Sequence, residues 1–320
     1  MHRSLQEKAS YMKICDLHCD LLAFLGEGGD LMNKEVRCSL PQMQRGGVAF
    51  QAMAIFTETK KGSVASAKRQ RVAYNTLLTH GAFQEWQGSF STNKISIALA
   101  IENLSGLLEE DEPLDLLFER MVEPFYVSLT WNSENRFGGG NHTSIGLKRD
   151  GELFLEYIDG KKIAIDLSHT SDHLAHDILE YIDKRNLKIT PIASHSNMRA
   201  ICNDPRNLPD ELASEIVKRG GVIGLNFVRK FVGEQPPRSF VEHVEHLKYL
   251  GGGENQVFGA DFFYERTIAP NPLVPRPYYH KGFEDASCYP LLLASFGEEQ
   301  KNIAHANFEA FVARRELLCT

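Results

Sequence analysis

Apolar residues recur along the chain in short, nearly continuous runs that are separated by charged, amphipathic segments. Eight runs have the length of a strand: residues 13–20, 48–56, 94–103, 124–131, 161–169, 187–195, 220–228 and 255–263. Most are apolar or small at nearly every position, which is typical of parallel strands that are buried on both faces. We therefore expect eight parallel strands.

The segments between the runs have the spacing of surface helices. The clearest predicted helices are residues 66–86, 171–186, 209–220, 239–250 and, at the end of the chain, 298–317. Alternating strands and helices over this length predict an α/β fold, a (β/α)8 TIM-type barrel, as one domain over residues 1–320 with a C-terminal helix. A doubly wound open sheet is the alternative. Its usual glycine fingerprints, GxGxxG and GxxxxGK[ST], are absent from the sequence.

Several of the runs end in a side chain that can bind a metal ion. These residues are His18, Asp20, Glu102, His169, His195 and Asp261. The C-terminal ends of barrel strands meet at one face, where active sites are built, and imidazole and carboxylate suit Zn²⁺ and similar ions. Three histidines with two or three carboxylates exceed the needs of one tetrahedral ion. A two-metal site is therefore expected, with Glu102 as the natural bridging ligand.

The first run ends in the sequence DLHCD, residues 16–20. Strict alternation along a strand puts His18 and Asp20 on one face, where both can reach the same ion, with Asp16 one step deeper on that face. The opposite face, directed to the helix layer, would then carry Cys15, Leu17 and Cys19.

Simpler explanations exist for each of these residues taken alone. A single histidine or aspartate at a strand end is more often a capping or hydrogen-bonding residue than a ligand, but coincidence is a poor account of six together. The histidines at 173, 176, 243 and 246 follow solvent-side helical patterns and are interpreted as surface residues. The sequence SHS at 194–196 lacks the GxSxG elbow, so a serine nucleophile is disfavoured.

Composition narrows the partners and the compartment. The net charge is −7 and no long basic run occurs, so neither nucleic acid nor a membrane is an expected partner. No stretch has the roughly 18 apolar residues of a membrane span, and the first 13 residues contain no apolar signal region. A cytoplasmic protein is therefore expected. The six scattered cysteines form no CxxC motif and are expected to be free thiols.

Motifs along nearly the whole chain resemble those of a known family. They are DLHCD (16–20), AIEN (100–103), SLTWNSENRFGGG (128–140), IDLSHTSD (165–172), SHSNMRAICNDPRNLPDE (194–211), FGADF (258–262) and GFEDASCYP (282–290). On these motifs the chain resembles the membrane (renal) dipeptidase family, M19-type binuclear zinc metallopeptidases of the amidohydrolase-like group. The combination of DLSH with the later SHS…RNLPD stretch is specific to this resemblance.

The resemblance implies two zinc ions per chain. His18 and Asp20 would hold the first ion, His169 and His195 the second, and Glu102 would bridge both. This is the same set of residues that the strand ends single out.

The resemblance also implies a reaction. A hydroxide that bridges the two zinc ions would attack the peptide bond of a dipeptide, including one with a D-residue at its C-terminal position. Asp261 would transfer protons, and Arg206 in DPRNLPD would bind the C-terminal carboxylate with its guanidinium fork. A homodimer is implied by the resemblance as well.

Two positions depart from the family pattern. Trp131 stands where the animal dipeptidases have a histidine that contacts the substrate. An indole donates a hydrogen bond but does not titrate, so the neighbouring Asn132 is a candidate to take over part of that role. After the eighth strand, the family pattern Asp-Phe-Asp-Gly is replaced by Asp-Phe-Phe-Tyr at 261–264, so the loop 264–284 is expected to be reshaped.

Two other functions stay open at this point. The same metal pair could hydrolyse a different amide or an ester, such as an N-acyl amino acid or a lactone. A catalytically inactive binding protein on the same barrel is disfavoured, because all five predicted metal ligands are retained.

Overall fold

In the part of the chain that the structure describes, nine strands form one sheet, and eight of them close into a barrel. The computed structural model describes residues 12–267 and 276–318. The strands are β1 (Ile14–Cys19), β2 (Val48–Phe56), β3 (Phe83–Glu85), β4 (Ile95–Glu102), β5 (Tyr126–Ser128), β6 (Ala164–Asp166), β7 (Pro191–Ile192), β8 (Ile223–Leu225) and β9 (Gln256–Phe258). All ladder pairs are parallel, and β3 pairs only with β4 outside the barrel.

The eight barrel strands follow one another around the barrel in chain order. Seven neighbouring pairs form parallel ladders, and β1 pairs with both β2 and β9. The last gap, between β7 and β8, is closed where Ala193 donates to Val222 O at 2.9 Å and Gly224 donates to Ala193 O at 2.7 Å. The predicted (β/α)8 fold is confirmed.

Helices surround the barrel. They are α1 (Leu21–Gly26), α2 (Leu40–Gly46), α3 (Ser63–Thr79), α4 (Asp115–Arg120), α5 (Arg149–Ile158), α6 (Asp172–Arg185), α7 (Asp210–Lys218), α8 (Arg229–Val232), α9 (Arg238–Tyr249), α10 (Tyr289–Leu293) and α11 (Asn307–Leu318). The predicted helix 66–86 is wrong at its C-terminal end, because α3 stops at Thr79 and the apolar Phe83 begins β3 instead. The predicted terminal helix contains a π-helical turn, Asn302–Ala306, before α11.

Local sequence explains where the helices begin and end. In α6, the Ser171 side chain accepts a hydrogen bond from Leu174 N at 3.0 Å, which satisfies one of the free N–H groups of the first turn. Asn186 ends this helix in the left-handed conformation, with φ of 53°. These two residues therefore fix the start and the end of α6, the helix that follows β6 and the candidate site residue His169.

One apolar cluster fills the inside of the barrel. Its members are Cys15, Leu17, Phe50, Ala52, Ala98, Ala100, Tyr126, Ala164, Ile192, Val222, Val257, Phe308 and Phe311. Only the interior can be lined by residues from all sides of the barrel, so these residues face inward. Phe308 of α11 packs on Phe50 near the start of β2, with ring centroids 4.3 Å apart. Helix α11 therefore closes the N-terminal end of the barrel, and the opposite end remains for the site.

The expected face of Cys15 and Leu17 is wrong. Both lie in the interior cluster, whereas Cys19 packs in the layer between strands and helices. The cause is a bulge in β1, where Asp16 pairs with Gln51 but Cys19 already pairs with Met53. The extra residue breaks the alternation, as β-bulges do, and re-aims the end of the strand.

His243 is buried, so its interpretation as a surface residue is wrong. It lies on the inner side of α9, where Nδ1 accepts a hydrogen bond from Met198 N at 3.2 Å and Nε2 donates to Val232 O at 3.0 Å. His173 and His176 are exposed on α6 as predicted, and His246 is half-buried. Burial lowers the pKa of His243 to about 4, against the hydrogen bond to Val232.

This buried histidine should make folding stability depend on pH. The pKa of His243 is about 4 in the folded protein and 6.5 at its ordinary value, which we take for the unfolded chain. As the pH falls, the unfolded chain therefore binds the proton first. The free energy of unfolding of the wild-type protein should therefore fall by about 2 to 3 kcal/mol between pH 6.5 and 4.5 because of this group. The check is urea unfolding at several pH values for wild type, His243→Gln and the exposed control His173→Gln. A difference between wild type and His243→Gln that stays constant with pH would contradict the prediction.

Other sequence expectations meet the structure in part. In the two described ranges, no helix has both the length and the apolar character needed to cross a membrane. The five described cysteines, Cys15, Cys19, Cys38, Cys202 and Cys288, are free thiols, and Cys319 lies outside the described residues. In the loop 264–284, which was expected to be reshaped, residues 268–275 also lie outside them.

Candidate active site

The six predicted ligand residues come together at the C-terminal mouth of the barrel. Each follows or ends a different strand, apart from the pair at the end of β1: His18, Asp20, Glu102, His169, His195 and Asp261. Glu102 is the last residue of β4, and His169 stands three residues after β6. The chain places them together because parallel strands all end at this face.

The Glu102 carboxylate lies between two histidines. Its Oε2 is 3.2 Å from His18 Nε2 and its Oε1 is 2.9 Å from His169 Nε2. The Nε2 atoms of His169 and His195 are 3.0 Å apart. The rings of His18 and His195 stack with centroids 3.7 Å apart. Four side chains from four strands thus direct nitrogen and oxygen atoms to one small region.

Two more carboxylates flank His18. Asp20 Oδ1 and Asp261 Oδ1 are each 3.8 Å from His18 Nε2. Ligand atoms of His18, Asp20 and Asp261 all lie within 4.8 Å of one another, and so do those of His18, Glu102 and His195. Among the described residues, His18 Nε2 and Asp20 Oδ1 are buried without a hydrogen-bond partner.

The outer nitrogen of the His18 ring is held by a tyrosine. Tyr126 OH lies 2.7 Å from His18 Nδ1 and donates its proton to Leu17 O at 2.9 Å. Since that proton is used, the hydroxyl oxygen accepts from Nδ1–H. The Nε2 lone pair of His18 therefore faces the carboxylates.

The other two histidines have the same tautomer. The carbonyl oxygen Oδ1 of Asn132 accepts from His169 Nδ1 at 2.8 Å. Ser194 Oγ lies 2.6 Å from His195 Nδ1 and donates to Asp166 Oδ2 at 2.5 Å. The outer nitrogen of each ring thus has a partner of its own, and Nε2 of all three rings is directed inward, as in metal-binding histidines.

The carboxylates favour positive charge at this point. Burial lowers the pKa of His18, but the Glu102 carboxylate, 3.2 Å from Nε2, outweighs it and raises this pKa to about 10. Burial raises the pKa of Asp20 well above its usual value, and the charge of Glu102 adds to the shift. Burial also raises the pKa of Asp261 to about 6. The site therefore favours a cation, either a proton on Nε2 or a metal ion.

The remaining pair of histidines is neutral. Burial lowers the pKa of His169 to about 4, and the charge of Arg206 acts in the same direction. Burial and the nearby His18 hold the pKa of His195 well below its usual value. Two neutral rings with facing lone pairs are suited to sharing a cation.

Asp261 is fixed in an unusual backbone conformation. Its φ of 62° lies in the left-handed region, which residues other than glycine rarely adopt. Its N–H donates to His18 O at 3.2 Å, Asn226 Nδ2 donates to its Oδ2 at 3.0 Å, and Tyr279 OH donates to its carbonyl oxygen. These contacts hold the other carboxylate oxygen, Oδ1, toward His18.

Arg206 is a buried cation beside the site. Its side chain donates to Ser196 Oγ at 3.2 Å and to His195 O at 3.3 Å, and its Nε has no partner among the described residues. The guanidinium lies over the Phe231 ring, 5.4 Å from its centroid. All of these contacts are with uncharged groups, so the positive charge is left available to an anion.

Trp131 and Asn132 border the mouth. Trp131 is half-buried, with its ring 5.1 Å from that of Phe56 and 6.2 Å from that of His169. Asn132 contacts His169 through its side-chain oxygen, which gives it a role in orienting that ring. Their predicted contact with a substrate stays a prediction.

Four functional side chains were missed from the sequence: Tyr126, Asp166, Ser194 and Asn226. A repeated pattern could have revealed one of them. In Asp16-Leu17-His18, within β1, and in Asp166-Leu167-Ser168, at the end of β6, the aspartate Oδ1 accepts the backbone N–H two residues later, at 3.0 Å in each case. Both Oδ1 atoms also accept an N–H from just after the neighbouring strand of the barrel. For Asp16 the donor is Ala260, after β9, at 3.0 Å, and for Asp166 it is Ser194, after β7, at 2.8 Å.

A closed parallel barrel with histidines and carboxylates at this mouth is the architecture in which barrel metalloenzymes bind their ions. The family described as membrane dipeptidase (peptidase family M19) matches residues 3–308. The chain therefore belongs to this family, which confirms the resemblance predicted from the motifs.

Curated relatives and solved structures agree with this assignment. An uncharacterized dipeptidase of Schizosaccharomyces pombe is 27% identical over 239 residues, which is 72% of this chain and 53% of the relative. Dipeptidase verJ of Clonostachys rogersoniana is 27% identical over 211 residues, 64% of this chain and 50% of the relative. The chain thus spans about half the length of these curated relatives.

Two solved structures show the same fold. The family M19 metallopeptidase described as dipeptidase AC superimposes with a TM-score of 0.77 at 20% identity, covering 95% of this chain and 98% of that one. A metallopeptidase from Rhodobacter sphaeroides, solved with a phosphinate mimic of the dipeptide L-Ala-D-Ala, gives a TM-score of 0.78 at 19% identity, with 95% and 99% covered. The barrel is therefore the fold of this family.

Proposed function

We propose that the chain is a zinc-dependent dipeptidase that hydrolyses the peptide bond of dipeptides. The observation that carries this proposal is the set of three inward-directed Nε2 atoms, from His18, His169 and His195, that gather at the Glu102 carboxylate. Facing lone pairs and carboxylates repel one another unless a cation lies among them. Membership of the M19 family supports the choice of dipeptides as substrate.

Two zinc ions fit the residues present. His18 and Asp20 would hold one ion, and their buried atoms without partners, Nε2 and Oδ1, suit a ligand role. His169 and His195 would hold the other. Glu102 would bridge, because its two oxygens lie beside histidines of different pairs. Zinc, when bound, supplies the positive charge that polarises the substrate carbonyl and lets an attacking water ionise near neutral pH.

Asp261 is proposed to move the proton. Its Oδ1 is directed to the ligand cluster, and its pKa of about 6 suits a group that accepts and returns a proton near neutral pH. It would take the proton of the attacking water and give it to the leaving amine. Asn226 keeps Asp261 in place by its hydrogen bond to the other oxygen.

Arg206 is proposed to bind the C-terminal carboxylate of the substrate. A buried guanidinium whose contacts are all uncharged is a ready partner for one carboxylate. Because this anchor lies next to His195, a free carboxylate must be close to the scissile bond, which selects dipeptides over longer peptides. The mimic of L-Ala-D-Ala bound by the Rhodobacter sphaeroides relative supports a site that also accepts a D-residue at the C-terminal position.

One experiment tests the proposal. Purified protein should contain about two zinc ions per chain by mass spectrometry, and it should cleave L-Ala-L-Ala and L-Ala-D-Ala faster than N-acetyl-alanine or a simple lactone. Removal of the ions with a chelator should abolish cleavage, and zinc should restore it. Faster cleavage of the N-acyl amino acid or the lactone would favour the alternative hydrolase. Protein that holds no metal and gains no activity with zinc would refute both the proposed metal site and the proposed hydrolase function.

A homodimer is proposed on the family resemblance alone. Light scattering coupled to size exclusion should give about twice the mass of one 36.0 kDa chain. A monomer at micromolar concentration would contradict it, with no consequence for the site.

A further inference from the structure

The hydroxyl of Ser194 links the His195 ring to a carboxylate inside the protein. Ser194 Oγ is 2.6 Å from His195 Nδ1 and 2.5 Å from Asp166 Oδ2. All three side chains are fully buried. A carboxylate accepts hydrogen bonds, so the hydroxyl proton is directed to Asp166 and the hydroxyl oxygen accepts from Nδ1–H of His195.

The other contacts of Asp166 fix the direction of this chain of hydrogen bonds. Its Oδ1 accepts from Ser168 N at 3.0 Å and from Ser194 N at 2.8 Å. The three groups that contact the carboxylate, Ser168 N, Ser194 N and Ser194 Oγ, are all donors, which suits the ionised form, and Asp166 forms no ion pair within the described part of the chain. The negative charge of Asp166 therefore acts on the His195 ring through the hydroxyl of Ser194.

His195 differs in this respect from the other two histidines. The outer nitrogen of His18 is held by the neutral Tyr126, and that of His169 by the neutral amide of Asn132. His195 is different because its partner, Ser194, is itself hydrogen-bonded to the charged Asp166. A hydrogen bond that is backed by a charge is stronger than a neutral one, and it makes the imidazole a better electron-pair donor.

We propose that Ser194 and Asp166 are positioning residues that hold His195 in the tautomer with a bare Nε2, and that they thereby set the affinity of the cation position that includes this nitrogen. The inference rests on the proposed metal site. It assigns a task to two residues that touch neither the ion nor the substrate.

The two residues should respond differently to substitution. In Ser194→Ala, Nδ1 loses its partner and the tautomer is no longer fixed. In Asp166→Asn, the hydroxyl no longer has an anion to donate to, so it is free to donate to Nδ1, which places the ring proton on Nε2 and blocks the ligand position. Both changes should weaken binding of the Zn²⁺ ion proposed to lie at His169 and His195 about 10- to 100-fold, with Asp166→Asn at least as severe.

Ser168→Ala is the matched control. Ser168 is as buried as Ser194, and its Oγ accepts from the backbone N–H of His195 at 3.1 Å. It supports the same residue but does not touch the ring. Loss of this hydroxyl should therefore lower thermal stability and change Zn²⁺ affinity by less than about threefold.

The measurement is Zn²⁺ titration of metal-free protein in competition with a chromophoric chelator, together with ¹⁵N NMR of the His195 ring. Metal-free wild type should show protonated Nδ1 and bare Nε2, and Ser194→Ala should show a mixture. Zn²⁺ binding by Ser194→Ala that is as tight as in wild type would overturn the proposal. A proton on Nε2 in wild type would do so without any variant. Wild type that binds no Zn²⁺ would instead refute the proposed metal site itself.

Discussion

Replacing Glu102 with glutamine should abolish most of the proposed activity and at least one of the two proposed metal positions. The carboxylate places one oxygen beside His18 Nε2 and the other beside His169 Nε2. The amide keeps the shape of the side chain but removes the negative charge, and its NH₂ group would donate to one of the lone pairs that a metal ion needs. We expect zinc content to fall from about two ions to one or fewer.

The expected loss in kcat/KM is about 10³-fold or more, which corresponds to about 4 kcal/mol of lost transition-state stabilisation. Zinc content by mass spectrometry and initial rates on L-Ala-D-Ala are measured on the same sample. Glu110→Gln is the control, because Glu110 is an exposed glutamate a few residues after the same strand. If Glu102→Gln retained two zinc ions and activity within threefold of wild type, the bridging role would be refuted.

The second large effect is expected at Arg206. Arg206→Ala should raise KM for dipeptides about 10- to 100-fold and change kcat much less, because a charge-assisted hydrogen bond to a carboxylate contributes about 1.5 to 3 kcal/mol. Arg206→Lys keeps the charge but loses the two-pronged geometry, so its KM should lie in between. Steady-state kinetics on L-Ala-D-Ala check both values.

A substrate without the carboxylate separates binding from indirect damage. Wild type should cleave the C-terminal amide of the dipeptide poorly, and Arg206→Ala should cleave it no worse than wild type does. Arg229→Ala, which removes a more exposed arginine at the start of α8, should leave both substrates within threefold of wild type. An equal loss on acid and amide substrates would show that Arg206 supports the fold rather than the carboxylate.

Stability offers an independent check on the same residue. Within the described residues Arg206 forms no ion pair, and a buried guanidinium of this kind is held at an energetic disadvantage in the free protein. Arg206→Ala should therefore not lower the melting temperature as much as a typical buried truncation does, even though it impairs binding. That combination is expected where a charged group is retained for a ligand.

The sequence was sufficient to predict the barrel and the meeting of its ligands. Buried parallel strands produce apolar runs, and such runs are visible in one sequence. Once eight of them are placed in a barrel, Glu102 and His195 must lie at the same face although they are far apart in the chain. No side-chain detail is needed for that step.

The outer partners of the histidines could not be predicted in the same way. Tyr126 and Ser194 are single polar residues inside or beside strands, and such residues are common without any function. Their meaning depends on which ring nitrogen they face, and this is decided by the tilt of neighbouring strands rather than by spacing. His243 was misjudged for a related reason, since a helix with polar residues on several sides does not reveal which of them faces the barrel.

The bulge in β1 separates two tasks of a single strand. Below it, Cys15 and Leu17 fill the barrel interior, and above it, His18 enters the mouth directly after Leu17 without the usual alternation. Removing the extra residue should therefore restore the alternation and turn His18 out of the mouth, even if every apolar side chain of the interior were kept.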